Sequence, residues 1–271
     1  MKNNSIYDLS IPVTSLTAEP DPPKIIYVDH SHSAEGMIEE AKKMLEKAGL
    51  PPQASAALER SLFPESMALA NELISMDAHA GTHLDAPYHF GPLSGDAPAL
   101  TIDRVPLEWC FADGIRLDLT GKPPGYAITA GDIQKAESNP GCSIRPGNIV
   151  LIMTGYDDYK SKGYFSSYPG MSREATLFLI DKGVRIIGID TWGFDRPIPA
   201  MLTDYLKTRD KSVIFPAHFL GREKTYLHIE KLYNLGSLPS PSGFKVACFP
   251  VKLEKGSAGF TRVVAIFGEA A

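Results

Sequence analysis

The feature that most constrains the fold is an apolar strand–helix–strand unit at residues 147–190, in the middle of the chain. The run IVLIM at 149–153 is apolar at every position, as in a strand that is covered on both faces. Ser172 is a suitable N-cap for a helix that extends to Lys182, and a second apolar strand follows at 184–190. This order of elements predicts an α/β fold.

Composition and pattern both indicate one globular domain. Of the 271 residues, 44 % are hydrophobic and 22 % are charged, which is enough to build a substantial core. Residues 35–47 predict a helix with an apolar stripe, capped by Ser33 and ended by Gly49. Because no repeat or linker divides the chain, we expect a single domain over residues 1–271.

The charge balance favours a small-molecule substrate. The 27 Lys and Arg residues against 32 Asp and Glu give a net charge of −5, and no basic run would follow a nucleic-acid backbone. No apolar run reaches the roughly 18 residues of a membrane span, and the first residues lack an apolar signal segment. We therefore expect a cytoplasmic protein with no nucleic-acid or membrane partner.

Three histidines lie within the eleven residues HAGTHLDAPYH at 79–89. Imidazole nitrogen and carboxylate oxygen are ligands that zinc and manganese accept, and His79, His83 and Asp85 supply three of them. Gly81 argues against a helix, so we expect a strand running into a turn, with the ligands on one side. A surface loop with solvated histidines is the alternative, but such a loop gives no reason for this density.

This stretch resembles the HxGTHxDxPxH signature of the cyclase family of metal-dependent hydrolases, the kynurenine formamidase and isatin hydrolase type. Companion motifs follow in order: IYDLS at 6–10, PGNIVLIMTG at 146–155, YPGM at 168–171 and GIDT at 188–191. The resemblance implies a swivelling β/β/α fold in which mixed sheets surround a metal pocket. It also implies a homodimer or a homotetramer.

The resemblance further implies a second pair of metal ligands in the last third of the chain. The implied ligands of one or two Zn²⁺ or Mn²⁺ ions are His79, His83, Asp85, His218 and Glu230. His79, His83 and Asp85 would hold one metal, while Asp85, His218 and Glu230 would hold or complete a second, with Asp85 bridging the two. His89 matches the acid–base histidine of the family.

The expected reaction is hydrolysis of an amide-type C–N bond in an aryl formamide or a cyclic amide, as in an arylformamidase. A bound metal lowers the pKa of water from 15.7 to about 7, so that hydroxide attacks the carbonyl carbon. His89 would take a proton from water and return it to the leaving nitrogen. A metal-dependent cyclisation or dehydration of a small carbonyl compound is the rival reaction. A ligand-binding homologue without catalysis is a third interpretation. Binding alone would not require an acid–base group such as His89, which argues against it.

The sequence departs from the family pattern after Asp190, where Trp192 and Phe194 replace small residues. These two side chains would line a pocket for a flat ring, and Arg196 would bind a substrate carboxylate. An alternative of equal weight makes the two aromatic residues ordinary core and puts Arg196 in a surface ion pair. The segment 27–64 is longer than a compact formamidase needs, so we interpret it as a lid or an oligomer contact.

Three further histidines fall outside the implied ligand set. His30 and His32 are expected in a solvated loop. His228 lies two residues before Glu230 and would share its face on an extended segment, which allows a supporting role at the metal site. A structural or exposed residue is the favoured interpretation of His228.

Overall fold

The computed structural model describes residues 5–268. Two compact units are distinguished within it: one comprises the residues up to Pro22 and those from Asp77 onward, and the other is Pro23–Met76. The expectation of a single domain over residues 1–271 stays a prediction. Residues 1–4, on which the expected lack of a signal segment partly rests, lie outside the described residues, as do residues 269–271.

The described residues form strands and α-helices in alternation. The strands are β1 (Ser5–Asp8), β2 (Lys24–Val28), β3 (Asn71–Ser75), β4 (His83–Asp85), β5 (Leu93–Ser94), β6 (Ala97–Pro98), β7 (Phe111–Asp118), β8 (Ala127–Ile128), β9 (Ile149–Met153), β10 (Gly170–Met171), β11 (Ile186–Ile189), β12 (Leu227–Glu230), β13 (Phe244–Ala247), β14 (Ala258–Phe260) and β15 (Val264–Phe267). The α-helices are α1 (His30–Lys47), α2 (Pro52–Ala56), α3 (Pro87–Phe90), α4 (Ala130–Glu137), α5 (Arg173–Asp181), α6 (Ile198–Thr208) and α7 (Pro216–Leu220).

A nine-stranded mixed sheet organises the larger unit, in the order β1-β15-β13-β7-β9-β11-β12-β4-β14. The four central strands β7, β9, β11 and β12 are parallel, and the flanking pairs are antiparallel. Parallel neighbours need crossover connections, which α4 and α5 help to supply. This arrangement confirms the predicted α/β class with mixed strand directions.

Both faces of the central strands are covered, as the apolar run at 149–153 predicts. Along β9, Val150 and Ile152 pack into a core cluster with Ile133 of α4 and Leu179 of α5. Leu151 faces the opposite side and joins a second cluster with residues of β4, β12 and β13. Continuous apolar sequence is therefore required here, because each face of the strand packs against protein.

Local signals determine the ends of the helices. Ser172 caps α5 by accepting a hydrogen bond from the backbone N–H of Ala175, as predicted. The cap of α1 was predicted wrongly: Asp29, not Ser33, accepts from the backbone N–H of His32, and the helix begins four residues earlier than expected. His30 and His32 consequently lie exposed in the first turn of a helix instead of in a loop.

The smaller unit combines α1 with an antiparallel pair formed by β2 and β3. Several apolar side chains of this pair are exposed, including Ile26, Leu73 and Ile74 at 61, 59 and 57 %. Among residues 5–268, none of the helices combines the length and the apolar character that a membrane crossing requires.

Candidate metal and active site

Two neighbouring strands position most of the ionisable groups of the site. β12 runs antiparallel to β4, with His228 opposite Asp85 and Glu230 opposite His83. Because alternate residues of a strand face the same side, these four side chains project from one face of the sheet. The intervening Leu84 packs into the core on the other face.

The backbone conformation between His79 and His83 differs from the one that the sequence predicts. We expected a strand that runs into a turn, with His79, Gly81, His83 and Asp85 projecting together from extended chain. The order is the reverse, because the strand is confined to His83–Asp85 and a turn precedes it, with Gly81 in the left-handed region at a φ of +64°. The turn nevertheless places His79 Nδ1 2.8 Å from Asp85 Oδ1.

The first cluster is formed by His79, His83 and Asp85. His83 Nδ1 donates to the Gly81 carbonyl at 2.9 Å, so Nε2 is the ring nitrogen that faces Asp85. This Nε2 lies 3.3 Å from Asp85 Oδ1, and both atoms are buried without a hydrogen-bond partner among residues 5–268. His79 Nδ1 is also close to this oxygen, at 2.8 Å.

The second cluster contains Asp85, His218, His228 and Glu230, whose ligand atoms lie within 4.8 Å of one another. His218 comes from α7, and its Nε2 is 3.6 Å from Glu230 Oε1. His228 Nε2 is 2.8 Å from Asp85 Oδ2 and 3.4 Å from Glu230 Oε1. Asp85 therefore turns one carboxylate oxygen toward each cluster.

Asp195 holds the His218 ring in place. Its Oδ2 accepts from His218 Nδ1 at 2.5 Å and from the His218 backbone N–H at 3.1 Å, while Oδ1 accepts from the Ala217 N–H at 2.8 Å. Asp195 itself is buried. A carboxylate behind an imidazole fixes the tautomer and aims the other ring nitrogen, here toward Glu230.

His89 lies beside both clusters, on the short helix α3. Its Nε2 is 3.9 Å from Asp85 Oδ2, and its ring centroid is 4.2 Å from that of His79 and 5.4 Å from that of His218. About one third of its side chain is exposed, a larger fraction than for any histidine of the two clusters. Among the histidines of the site, His89 is thus the one that a substrate can reach most easily.

Burial and close contact shift the pKa values of these groups. Burial favours the neutral form of Glu230, but the hydrogen bond from His228 and the charges of His228 and His83 together outweigh it and lower the pKa of Glu230 to about 2. Burial is likewise outweighed at Asp85, where the charge of His83 and the hydrogen bond from His228 hold the pKa well below its usual range. The same two carboxylates raise the pKa of His228 to about 9 against the effect of burial. Burial lowers the pKa of His89 to about 4.

The donor set fits a divalent cation. His83 Nε2 and Asp85 Oδ1 are buried polar atoms that no group in the described part of the chain satisfies, and such atoms are costly unless a ligand or ion completes them. The clusters combine imidazole nitrogen with two carboxylates, a mixture that suits zinc or manganese. The residues implied as ligands from the sequence, His79, His83, Asp85, His218 and Glu230, are thus brought together.

A cavity of about 430 Å³ opens beside the clusters. His79, His89, His218 and Glu230 contribute to its lining, so the ionisable groups face the space that a substrate would occupy.

Trp192, Phe194 and Arg196 also line this cavity. Phe194 is fully buried and stacks on the His228 ring with centroids 4.2 Å apart, so it belongs to the core as well as to the cavity wall. The Arg196 guanidinium pairs with Asp204 at 2.7 Å. Their roles in substrate binding stay a prediction.

Three further residues of the cavity wall were not singled out from the sequence. Glu19 accepts from Lys231 Nζ at 2.6 Å and from the Trp192 indole N–H at 3.2 Å. Lys231 also donates to the His79 carbonyl at 2.9 Å, which ties the turn before β4 to the end of β12. No spacing pattern in the sequence connects Glu19 with Lys231. The third residue, Asp195, lies in the stretch after Asp190 that departs from the family pattern, and this departure is a signal that could have identified it.

Comparison with known proteins gives a consistent result. The family described as "Putative cyclase" matches residues 7–196. An isatin hydrolase from Roseibium aggregatum is 26 % identical over 205 residues, which cover 71 % of this chain and 73 % of that protein.

Solved structures show the same fold. A crystal structure of an isatin hydrolase bound to the product analogue thioisatinate superposes with a TM-score of 0.72 at 20 % identity, covering 98 % of this chain and 93 % of that one. A structure described as a potential metal-dependent hydrolase with cyclase activity gives a TM-score of 0.59 at 21 % identity, covering 99 and 100 %. At these identities the likeness concerns the fold, and it confirms the fold that the signature implied.

Proposed function

The chain belongs to the cyclase family, and on that premise we propose that it is a metal-dependent hydrolase of an amide-type C–N bond, in an aryl formamide or a cyclic amide. The observation that carries the proposal is the convergence of two ligand clusters on Asp85 at the wall of a cavity, with His89 beside them. The relative named isatin hydrolase supports the choice of a cyclic amide.

We assign His79, His83, Asp85, His218 and Glu230 to the binding of one or two Zn²⁺ or Mn²⁺ ions. When bound, such ions supply Lewis-acid activation of water and of a carbonyl group. The protein supplies two carboxylates whose pKa values are held low by neighbouring histidines, so that they are charged at neutral pH. These charges balance those of a divalent cation and keep it in place.

His89 is the group that we assign to proton transfer. It contacts the cavity and is held against the rings of His79 and His218, while its lowered pKa leaves the imidazole neutral at pH 7. A neutral imidazole accepts a proton from water and then donates it to the nitrogen that leaves the carbonyl carbon. No serine or cysteine nucleophile is needed for this reaction.

The cavity wall favours a flat and partly polar substrate. Trp192 and Phe194 offer aromatic surface for a ring. Arg196 offers a guanidinium for a carboxylate, although binding one requires it to share or leave its contact with Asp204. An amide derived from an amino acid meets both conditions.

The experiment is a hydrolysis assay with N-formylkynurenine, isatin and simple lactams after loading with Zn²⁺ or Mn²⁺. We expect turnover of at least one of them, with loss of turnover and unchanged metal content in His89→Ala. Tyr88→Ala, on the same helix and exposed, is the matched control and should keep its activity. Loss of metal from His89→Ala would instead make His89 a ligand and contradict its assigned role.

A cyclisation or dehydration of a small carbonyl compound is the second candidate, favoured by the solved structure described as having cyclase activity. It retains the metal ligands and changes only the bond that is broken or formed. Absence of turnover on every C–N substrate tested, in protein that has bound metal, would favour this candidate.

We also propose that the chain forms a homodimer or a homotetramer. Two-stranded antiparallel pairs are marginal on their own in water, and the pair of β2 and β3 exposes Ile26, Leu73 and Ile74. Tyr27, at the start of the segment 27–64 that we interpret as a lid or an oligomer contact, is exposed on the same pair. Light scattering on the eluting peak of a gel-filtration column should give a mass of two or four chains, and a monomer would refute the proposal.

A further inference from the structure

His228 occupies a position at the centre of the site that the implied ligand set does not explain. It lies on β12 directly opposite Asp85 and two residues before Glu230, so all three side chains project from the same face of the sheet. The imidazole is fully buried. A buried polar ring among carboxylates needs a physical reason, because its polar atoms must be satisfied.

The surroundings of His228 fix the orientation of its ring. Phe194 stacks on one side with an interplanar angle of 5° and centroids 4.2 Å apart, and Phe90 packs at 5.0 Å. His228 Nδ1 lies 3.4 Å from the hydroxyl oxygen of Tyr226, and that hydroxyl donates its own hydrogen to the Ala217 carbonyl at 2.8 Å. The Tyr226 oxygen is therefore the acceptor and Nδ1–H the donor, which leaves Nε2 as the nitrogen directed at Asp85 and Glu230.

Two of the distances in this group match those between ligands of one ion, and the shortest is a hydrogen bond between Nε2 and Asp85. Nε2 lies 2.8 Å from Asp85 Oδ2 and 3.4 Å from Glu230 Oε1, and His218 Nε2 lies 3.6 Å from the same Glu230 oxygen. Two donors that each bind a tetrahedral zinc ion at about 2.1 Å are roughly 3.4 Å apart. The four residues thus present two nitrogen and two oxygen donors within 4.8 Å of one another, close enough to be drawn onto one zinc ion that replaces the hydrogen shared by Nε2 and Asp85.

We propose that His228 is a zinc ligand through Nε2, and that Asp85, His218, His228 and Glu230 form a closed four-ligand position beside the three-ligand position of His79, His83 and Asp85. The inference rests on the proposed function, since it adds a ligand to the same metal centre. Structural zinc sites have four protein ligands, whereas catalytic sites have three and leave a place for water or substrate. The two positions therefore differ in role. An ion held by the four ligands would tie β4, β12 and α7 together, and one held by His79, His83 and Asp85 would keep a place for water or substrate.

The test is the number of zinc ions bound per chain, measured by elemental analysis after equilibration with zinc and removal of the excess. The wild type should bind about two ions and His228→Gln about one, because one of four ligands is lost from the closed position. His79→Gln serves as the matched control: it should lose the ion of the other position and retain the closed one. Two ions bound by His228→Gln with wild-type affinity, or a wild type that saturates at one ion, would overturn the proposal.

Tyr226→Phe keeps the test decisive if His228→Gln does not fold. This variant removes one hydroxyl, whose hydrogen bond to the His228 ring is at Nδ1, and leaves Nε2 in place. Loss of a group that orients a ligand costs about 10-fold or more in metal affinity. A chelator should therefore remove the ion of the four-ligand position from this variant more readily than from the wild type. Unchanged affinity for both ions would refute the role of His228 as a ligand.

Metal counting separates this inference from the proposed function. Two ions in the wild type and one in His228→Gln, without turnover of any C–N substrate, would support the ligand assignment and refute the hydrolase. Turnover that accompanies two ions in His228→Gln would support the hydrolase and refute the ligand assignment.

Discussion

Replacing Asp195 with Asn tests whether the metal centre depends on a residue that is not itself a ligand. Three N–H groups converge on the Asp195 carboxylate: the backbone N–H groups of Ala217 and His218, and Nδ1–H of the His218 ring. An Asn side chain can accept at one of the two positions only, so its NH₂ group faces either the Ala217 N–H or the two donors of His218. The ring of His218 loses its charged partner, and a different orientation becomes favourable.

The magnitude follows from the contacts that are lost. A hydrogen bond to a charged group contributes about 1.5–3 kcal/mol, and each buried donor left unsatisfied costs about 1–3 kcal/mol. Removal of a carboxylate that supports a ligating histidine lowers metal affinity by about 10- to 100-fold, which corresponds to about 1.4–2.7 kcal/mol. We therefore expect Asp195→Asn to weaken binding of the ion held with His218 by one to two orders of magnitude.

The assay is zinc competition with a chromophoric chelator, with unfolding in urea as the check on stability. Asp204→Asn is the matched control, because Asp204 pairs with Arg196 outside the ligand clusters and should leave zinc affinity unchanged. If folded Asp195→Asn bound both ions within about twofold of the wild-type affinity, the argument that Asp195 orients His218 would be wrong.

Three further predictions concern stability. Gly221→Ala places a Cβ 2.1 Å from Cδ2 of the buried Phe90 ring, so we expect a loss of about 1–3 kcal/mol in urea unfolding, and wild-type stability would contradict the clash. Burial raises the pKa of Asp190 to about 6 despite the hydrogen bonds from Thr154, so the folded state binds its proton more tightly than the unfolded state. Raising the pH from about 4 to 7 should therefore cost the wild type about 2 kcal/mol relative to Asp190→Asn, and parallel pH profiles would refute this. Saturating zinc should stabilise the fold by about 2.7 kcal/mol at a free concentration 100 times the dissociation constant, visible as a higher melting temperature, and an unchanged melting temperature would mean that the folded state binds no zinc.

Much of the fold could be predicted because its signals are local. The helix α5 and its cap Ser172 need only the sequence around them, and the buried strands β9 and β11 are apolar throughout because both their faces are covered. The start of α1 was predicted wrongly because the local sequence allows two starts. Asp29 and Ser33 are both acceptable caps, and they lie four residues apart, about one helical turn.

The route of the chain through the site required the structure. The alternation of His79, Gly81, His83 and Asp85 predicted an extended segment, but the left-handed conformation of Gly81 replaces its first half with a turn. The ligand atoms converge all the same. A cation requires only suitable distances between donor atoms, whatever the conformation of the backbone between them. The pairing of Glu19 with Lys231 joins residues 212 positions apart and has no local signal.

The sequence by itself supplies the ligand types of the candidate site: imidazole and carboxylate groups at 79–89, with His218 and Glu230 as the partners that the family resemblance implies, are donors that zinc and manganese accept. Only the tertiary structure decided that the His228 side chain lies among these groups. A histidine two residues from a ligand faces either a core or a site, and the register that sets His228 opposite Asp85 across β12 and β4 makes that choice. Register depends on contacts between segments 143 residues apart, which no local pattern contains. The residue types therefore determine which groups can bind a metal, and the pairing of the strands determines which of them meet.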